Sequence, residues 1–414
     1  MKATTTFPDF RSLAMLEAHI EHTMDFYRPV CTDPSGGFFH FYRDDGTVYD
    51  TSTRHLVSST RFVFNFAQAF KRFGRADDQA ALRHGLAFLR QVHRNPQTGG
   101  YSWLLRWQND QAEVLDGSNH CYGLAFVMLA YAHALQAGVT EARAWLMETW
   151  EVMEARFWST TDWLYADVAA PDWSSLDLYR GQNANMHACE ALLAAFEASA
   201  DLRFLHRAET LARHITLRQA DLAGGLIWEH YRSDWSIDWD YNREDKSNIF
   251  RPWGYQPGHL TEWAKLLLLL ERHAAQLQGP ADWLLPRARA LFDVAMARAW
   301  DAQHGGLCYG FGLDGEVCDA DKYFWVQAES LATAGLLASR LEQSGEADAY
   351  WHWYERIWRY SWNHFVDHKH GAWYRILQPD NRAYSDEKSP AGKTDYHTMG
   401  ACYDLLKTFE GKAA

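Results

Sequence analysis

Apolar side chains recur at helical spacing over most of the chain, and short polar segments separate these stretches. Residues 56–73 carry apolar side chains three and four positions apart and end at Gly74, after which a second such stretch begins at Ala76. This period is typical of amphipathic helices. It predicts twelve helices over residues 10–27, 56–73, 76–92, 122–136, 141–157, 185–200, 202–217, 258–277, 281–299, 323–343, 347–365 and 397–409.

A turn motif divides these helices into pairs. Each copy has glycines or an equivalent turn followed by aromatic residues, and most copies follow a short polar stretch such as Asp33-Pro34-Ser35. This composition predicts a turn that leads into a short extended segment. Six copies occur, roughly 60 to 80 residues apart, at Gly36-Gly37, Gly99-Gly100, Asp162-Trp163, Gly224-Gly225, Gly305-Gly306 and Gly371-Ala372.

Six helical pairs, each with a hairpin segment, predict an all-α fold, a closed (α/α)6 barrel in which alternate helices line the interior. An open superhelix of the same units is the competing arrangement, but a closed ring leaves no terminal unit to be capped. The absence of βαβ alternation argues against a TIM barrel. Since the sequence contains no linker or low-complexity segment, residues 1–414 are predicted to form a single domain.

The net charge of −13 excludes some classes of partner. Phosphate backbones and anionic lipid surfaces repel such an acidic chain, so nucleic acids and membranes are not expected partners. The longest apolar run, residues 266–270, is too short for a membrane span, and residues 1–9 lack the pattern of a signal peptide. These features predict a cytoplasmic protein, monomeric or homodimeric, that acts on a small molecule.

Two tetrads with the same pattern are the first candidates for chemistry. They are His187-Ala188-Cys189-Glu190 and His259-Leu260-Thr261-Glu262. Residues three apart share one face of a helix, and each tetrad lies near the start of a predicted helix. Most single histidines are structural, but two equivalent His-x-x-Glu groups in one repeat favour a functional site. His397, Glu329 and Arg54 also stand where inner helices are predicted to begin.

This set of side chains suits the removal of a proton beside a carbonyl group. An imidazole has a pKa near neutrality, and a carboxylate behind it fixes its tautomer. Arg54 or another histidine can stabilise negative charge on the substrate oxygen. No metal or other cofactor is expected, because dedicated metal sites have denser carboxylate or cysteine clusters. The 20 tryptophans suit either stacking on sugar rings or a large aromatic core.

The chain resembles the N-acylglucosamine 2-epimerase superfamily over nearly its whole length. This group includes N-acylglucosamine and cellobiose 2-epimerases and aldose–ketose isomerases, and the resemblance implies an (α/α)6 barrel. The residues that carry it are Arg54, Asn183-x-Asn185-x-His187-x-x-Glu190, Pro257-Gly258-His259-x-x-Glu262, Trp325-x-x-x-Glu329 and Lys393-x-x-x-His397.

The resemblance also implies roles for these residues. His259 and His397 would be the acid/base pair, and His187 would assist ring opening or bind O1 and O5. Glu262 would orient His259, and Arg54 would stabilise the enediolate. The implied substrate-binding residues are Asn183, Glu190, Trp325, Glu329 and Lys393.

Two further features narrow the resemblance. Disaccharide-acting relatives carry a tryptophan directly before the lysine that matches Lys393, whereas this chain has Gly392, which favours a monosaccharide. The segments 53–57 and 61–65 are more similar to the mannose isomerase branch than to the epimerases.

Four functions stay open at this point. The first is interconversion of D-mannose and D-fructose, with D-lyxose and D-xylulose as a related pair. The second is 2-epimerisation of mannose to glucose or of an N-acylglucosamine to an N-acylmannosamine; both reactions use the same histidines, and only the carbon that regains the proton differs. The third is glycoside hydrolysis by paired carboxylates such as Asp238 and Asp240. The fourth is carbohydrate binding without catalysis.

Overall fold

Twelve helices of at least twelve residues form a double-layered ring in the computed structural model, which describes residues 7–245, 248 and 251–413. They are α1 (Leu13–Tyr27), α2 (Leu56–Phe73), α3 (Ala76–Phe88), α4 (Cys121–Gln136), α5 (Ala142–Arg156), α6 (Gln182–Ser199), α7 (Leu202–Arg213), α8 (Pro257–Glu271), α9 (Leu284–Ala299), α10 (Phe324–Leu341), α11 (Ala347–His364) and α12 (Tyr396–Ala413).

The even-numbered helices form a closed inner ring. Helix α2 contacts α4, and contacts continue through α6, α8 and α10 to α12, which returns to α2. Each odd-numbered helix packs outside one inner helix: α3 on α2, α5 on α4, α7 on α6, α9 on α8, α11 on α10 and α1 on α12. The predicted (α/α)6 barrel is confirmed, and the competing open superhelix is excluded by the contact between α12 and α2.

Short antiparallel strands precede most of the inner helices. Strand β10 leads directly into α6 and pairs with β11, and β14 leads into α10 and pairs with β15. Strands β16 and β1 pair Ser389 with Tyr42, which joins the last repeat to the first. The strands are β1 (Phe41–Arg43), β2 (Val48–Asp50), β3 (Thr53–His55), β4 (Leu104–Gln108), β5 (Gln111–Asp116), β6 (Asn119–His120), β7 (Trp158–Ser159), β8 (Leu164–Tyr165), β9 (Val168–Ala169), β10 (Arg180–Gly181), β11 (His230–Tyr231), β12 (Gly310–Phe311), β13 (Val317–Asp319), β14 (Lys322–Tyr323), β15 (Ile376–Leu377) and β16 (Glu387–Ser389).

Each of the six turn motifs contains a residue in the left-handed backbone conformation. Gly37 has φ 68° and Gly306 has φ 79°, in the left-handed region that glycine enters without strain. In the two degenerate copies, Trp163 and Ala372 take the same conformation with φ 61° and 60°. A hydrogen bond connects the segment after the turn to the next inner helix. After the Trp163 turn, for example, the backbone N–H of Tyr165 donates to Asn185 Oδ1 on α6 at 2.8 Å.

Several helix boundaries differ from the prediction. The sequence predicts one helix over 258–277 and the next over 281–299. In the structure the first helix ends at Glu271 and the second begins at Leu284. The predicted helices 76–92 and 202–217 change to π-helical turns at Leu89–His93 and His214–Gln219. Helix α2 begins at Leu56 as predicted, and Arg54, which was expected at a helix start, lies two residues before it in β3.

The buried apolar side chains form one cluster that runs from Phe10 to Leu406 and includes residues of every repeat. Within the described ranges, no helix is both long and apolar enough to cross a membrane.

Candidate active site

A cavity opens where the inner helices begin, and we call it the reaction cavity; together with its mouth, which is open to solvent, it encloses about 700 Å³. The starts of α6, α8, α10 and α12 all reach it, because the inner helices point the same way along the barrel axis. It is lined by Arg61, Tyr122, Asn183, His187, His259, Glu262, Tyr309, Tyr323, Phe324, Trp325, Arg375, Pro390, Ala391, Gly392, Lys393 and His397.

All three histidines that the sequence singled out line this cavity. The His187 and His397 rings lie 6.3 Å apart between centroids. The Trp325 ring contacts two of them, at 5.0 Å from His259 and 5.7 Å from His397. The histidines and a large aromatic face therefore surround one space.

Each imidazole is held by a carboxylate at Nδ1. The distance is 2.9 Å from His187 to Glu190. It is 2.9 Å from His259 to Glu229 and 2.7 Å from His397 to Glu329. Since a carboxylate can only accept hydrogen bonds, this contact favours a proton on Nδ1 and a lone pair on Nε2 in each ring. At His397 a guanidinium nitrogen of Arg61 lies 3.4 Å from that Nε2 atom, and at His259 the amide nitrogen of Gln182 lies 3.0 Å from Nδ1.

Burial favours the neutral form of two of these imidazoles by lowering their pKa. Desolvation lowers the pKa of His187, although the hydrogen bond to Glu190 opposes it. Desolvation also lowers the pKa of His397 well below its ordinary value, and the positive charge of Arg61 adds to this effect. A neutral imidazole is the form that can accept a proton from a carbon atom.

Glu262 does not orient His259, contrary to the prediction. The partner of His259 is Glu229, a loop residue that also accepts a hydrogen bond from Gln182 at 2.9 Å. Glu262 lines the cavity and lies 3.9 Å from His187 Nδ1, and neither of its oxygens has a hydrogen-bond partner among the described residues. Burial and the charge of Glu329 raise the pKa of Glu262 well above its usual range.

The predicted role of Arg54 in contacting substrate also needs correction. Its guanidinium is fully buried in an ion pair with Asp33 and bonds the backbone oxygen of Thr51 at 2.9 Å, and it does not line the cavity. Arg61, seven residues later, occupies the position expected of Arg54. It donates to the backbone oxygen of Gly392 and lies 3.4 Å from His397 Nε2.

The predicted substrate-binding residues fall into two groups. Asn183, Trp325 and Lys393 line the reaction cavity, and Lys393 pairs with Asp395 at 2.5 Å. Glu190 and Glu329 do not line it, because they lie behind the imidazoles that they hold and face a second cavity further along the barrel axis.

Several residues of the site were not predicted from the sequence. Arg61 is a charged residue between apolar positions of an inner helix whose other charged residues lie in its last turn, and that position is a signal that could have found it. Glu229 and Tyr122 lie in segments without a motif. Their proximity to the histidines depends on which repeats are neighbours, which spacing alone does not reveal.

Two groups of side chains bring three ligand-type atoms within 4.8 Å of one another: His187 with Glu190 and Glu262, and Glu262 with Glu329 and His397. In the second group the ammonium of Lys265 already lies 2.6 Å from Glu329 Oε2 and neutralises its charge. In the first, the His187 Nδ1 atom is used by Glu190. We therefore do not assign either group as a metal centre.

The carboxylates proposed for glycoside hydrolysis lie elsewhere. Asp240 is exposed and pairs with Arg243 at 3.2 Å, and neither it nor Asp238 lines the reaction cavity. Hydrolysis by this pair is not supported.

Comparison with known proteins agrees with this geometry. Residues 37–401 match the N-acylglucosamine 2-epimerase (GlcNAc 2-epimerase) family. The chain is 54% identical over 404 residues to a D-mannose isomerase of Marinomonas mediterranea, which covers 97% of this chain and 99% of that protein. It is 35% identical over 301 residues to a D-mannose isomerase of Thermobifida fusca, with 72% of each chain covered. A D-mannose isomerase crystal structure with 54% identity superposes with a TM-score of 0.92 and covers 97% of this chain and 100% of the other. The chain belongs to the N-acylglucosamine 2-epimerase family.

Proposed function

We propose that this protein is an aldose–ketose isomerase that interconverts D-mannose and D-fructose without a metal ion. The observation that carries the proposal is the set of three imidazoles around one cavity, each with a carboxylate at Nδ1. The 54% identity over nearly the full length to a D-mannose isomerase supports the substrate class. We also propose that the whole chain is a single catalytic domain, because one buried cluster runs through all its repeats.

The reaction needs an open-chain sugar and a base at C2. The C1 carbonyl makes the C2 proton acidic, and an imidazole Nε2 removes it to give a cis-enediolate. The same imidazolium then returns the proton to C1, while the hydroxyl proton of O2 is transferred to O1. The product has a C2 carbonyl and is therefore a ketose, and no electrons leave the sugar.

We assign His259 and His397 to the proton transfers and His187 to opening the ring or holding O1 and O5. Both acid/base candidates contact Trp325, whose ring offers a face for the sugar. Arg61 lies beside His397 and provides the positive charge that a developing enediolate oxygen requires.

2-epimerisation is the second candidate, because two imidazoles stand against the same aromatic face and an epimerase needs a base on each side of C2. It differs from isomerisation only in the carbon that regains the proton. The product formed from D-mannose, fructose or glucose, distinguishes the two reactions.

The test is incubation of the purified protein with C1-labelled D-mannose and excess EDTA, followed by carbon NMR. We expect labelled D-fructose, and we expect His259→Asn and His397→Asn to lose most of the rate while their circular dichroism stays native. Labelled glucose instead of fructose would identify a 2-epimerase, and loss of activity with EDTA would contradict metal independence. Cellobiose should remain unconverted, since Gly392 leaves no aromatic side chain for a second sugar.

A further inference from the structure

A buried lysine lies directly behind the reaction cavity. The side chain of Lys265, on inner helix α8, is 4% exposed, and its Nζ atom lies 2.6 Å from Glu329 Oε2. The other oxygen of Glu329 lies 2.7 Å from His397 Nδ1. An ion pair and a hydrogen bond thus connect the ammonium of Lys265, through Glu329, to the imidazole of His397.

We infer that Lys265 is a positioning residue that holds Glu329 as a carboxylate and thereby keeps the proton of His397 on Nδ1. This inference rests on the proposed function, in which His397 Nε2 is a base. Lys265 itself does not line the reaction cavity, so it acts through Glu329 and not on the sugar.

The need for a cation follows from the surroundings of Glu329. This carboxyl is 1% exposed, and a carboxyl oxygen of Glu262 lies within 4.8 Å of it. Burial raises the pKa of Glu329, and the charge of Lys265 opposes that rise. For Lys265 itself, burial lowers the pKa, but Glu329 and Asp404 raise it overall, so the lysine stays charged.

Other charged or titratable groups face Lys265, Glu329 and His397 from α8 itself and from three other inner helices. Asp404 on α12 lies 3.7 Å from Lys265 Nζ and is the closest of them to the lysine. The others are Arg61 on α2, His187 and Glu190 on α6, and Glu262 on α8. Three of these five groups are acids, so removal of Lys265 leaves an excess of buried carboxylates.

Loss of the ammonium would change the tautomer of His397. A Glu329 that holds its proton at neutral pH donates to Nδ1 instead of accepting from it. The imidazole proton then lies on Nε2, and that atom can no longer accept a proton from the substrate. Higher pH would remove the proton from Glu329 and restore the active tautomer.

The variant to test is Lys265→Met, which keeps the length of the side chain and removes its charge. We expect kcat for the proposed isomerisation to fall at least tenfold at neutral pH, with KM nearly unchanged, and to recover part of the loss at about pH 9. The matched control is Lys407→Met, because Lys407 borders the same second cavity but pairs with Glu197. Its pH profile should match that of the unmodified protein. A Lys265→Met profile that is lowered equally at every pH would overturn the inference.

A double-mutant cycle with Glu329→Gln distinguishes the positioning role of Lys265 from a general loss of folding. The amide introduced by this substitution is uncharged at every pH, so it has no carboxylate for the lysine to hold. If Lys265 acts through Glu329, adding Lys265→Met to Glu329→Gln should therefore change kcat less than twofold. A full additional loss in the double variant would assign Lys265 another role and overturn the inference.

Nitrogen NMR of the His397 ring gives a readout that does not need turnover. The unmodified protein should show a protonated Nδ1, and Lys265→Met should move the proton to Nε2 at neutral pH; the His397→Asn spectrum assigns the signal. If the unmodified protein does not isomerise mannose, the proposed function fails, whereas an unchanged tautomer in Lys265→Met contradicts the positioning role alone.

Discussion

The Nδ1 atom of His259 lies 2.9 Å from the carboxylate of Glu229, a residue of the preceding loop and not of its own helix. Pairing of Gly181 with His230 in strands β10 and β11 fixes this loop beside the start of α6. Gln182, the first residue of α6, donates to the same carboxylate and accepts a hydrogen bond from Trp263 at 2.7 Å. The orientation of His259 therefore depends on contacts between two repeats.

Glu229→Gln should lower kcat by on the order of 10²–10³-fold with little change in KM, because an amide can donate to Nδ1 and stabilise the wrong tautomer. Steady-state kinetics with D-mannose would measure the effect. Glu271→Gln is the matched control, since Glu271 lies at the far end of α8 and pairs with Arg340. An unchanged kcat in Glu229→Gln would show that this hydrogen bond does not set the protonation of His259.

Arg61 and Arg54 should respond differently to substitution. Arg61→Lys keeps a positive charge but loses the planar guanidinium, whose two terminal nitrogens bond the backbone oxygen of Gly392 and approach His397. We therefore expect kcat/KM to fall by about 10²-fold while the circular dichroism spectrum stays native.

Arg54→Met should instead destabilise the fold, because it leaves Asp33 without its buried partner. Breaking a buried ion pair costs about 3–5 kcal/mol of unfolding free energy, which urea unfolding would measure. The folded fraction should keep kcat/KM within a few-fold of the unmodified protein. A stable Arg54→Met protein without activity would restore the role that the sequence suggested for Arg54.

The sequence was sufficient for features that depend on one helix or on the repeat. The pairing of His187 with Glu190 follows from their i, i+3 spacing, and the barrel follows from six equivalent turns. The partner of His259 could not be derived in this way, because the same spacing in its tetrad places Glu262 toward the cavity and leaves Nδ1 to a loop from another repeat.

The choice between Arg54 and Arg61 shows a second limit. Both residues stand near the start of α2, and the structure begins this helix at residue 56, as the sequence predicts. The structure starts the helix at Leu56, so Arg54 falls on a strand and points to Asp33. The helix boundary was therefore predicted correctly, and the sequence did not show which of the two arginines lies at the cavity.

Activity should persist at pH values below the ordinary histidine pKa. The sequence alone predicts a fall at about pH 6.5. Burial lowers the pKa of His187 and lowers that of His397 well below its ordinary value, so both stay neutral at more acidic pH. The acidic limb of kcat/KM should therefore lie below about pH 6.5, measured where circular dichroism remains native. A midpoint at or above that pH would contradict the assignment of these buried imidazoles as the groups that limit the rate.

Stability should fall over a similar pH range for a different reason. Burial is the main influence that lowers the pKa of His19 and of His55 to about 3 and that of His93 to about 4. The unfolded chain binds protons at these residues below about pH 6.5, whereas the folded protein does not, so the stability present above that pH is lost as the pH falls. Each histidine should contribute a loss of about 1.4 kcal/mol per pH unit until its folded pKa is reached.

Urea unfolding at about pH 7, 6 and 5 would measure this loss. His93 is fully buried and bonds Ser59 at 3.0 Å and the backbone oxygen of Ser102 at 3.0 Å, so His93→Gln can keep a similar shape without a titrating group. The variant should start with a lower unfolding free energy at about pH 7 but show a slope with pH that is smaller by about 1.4 kcal/mol per unit. Equal slopes in the two proteins would mean that His93 takes up its proton without unfolding, and that its burial does not contribute to acid sensitivity.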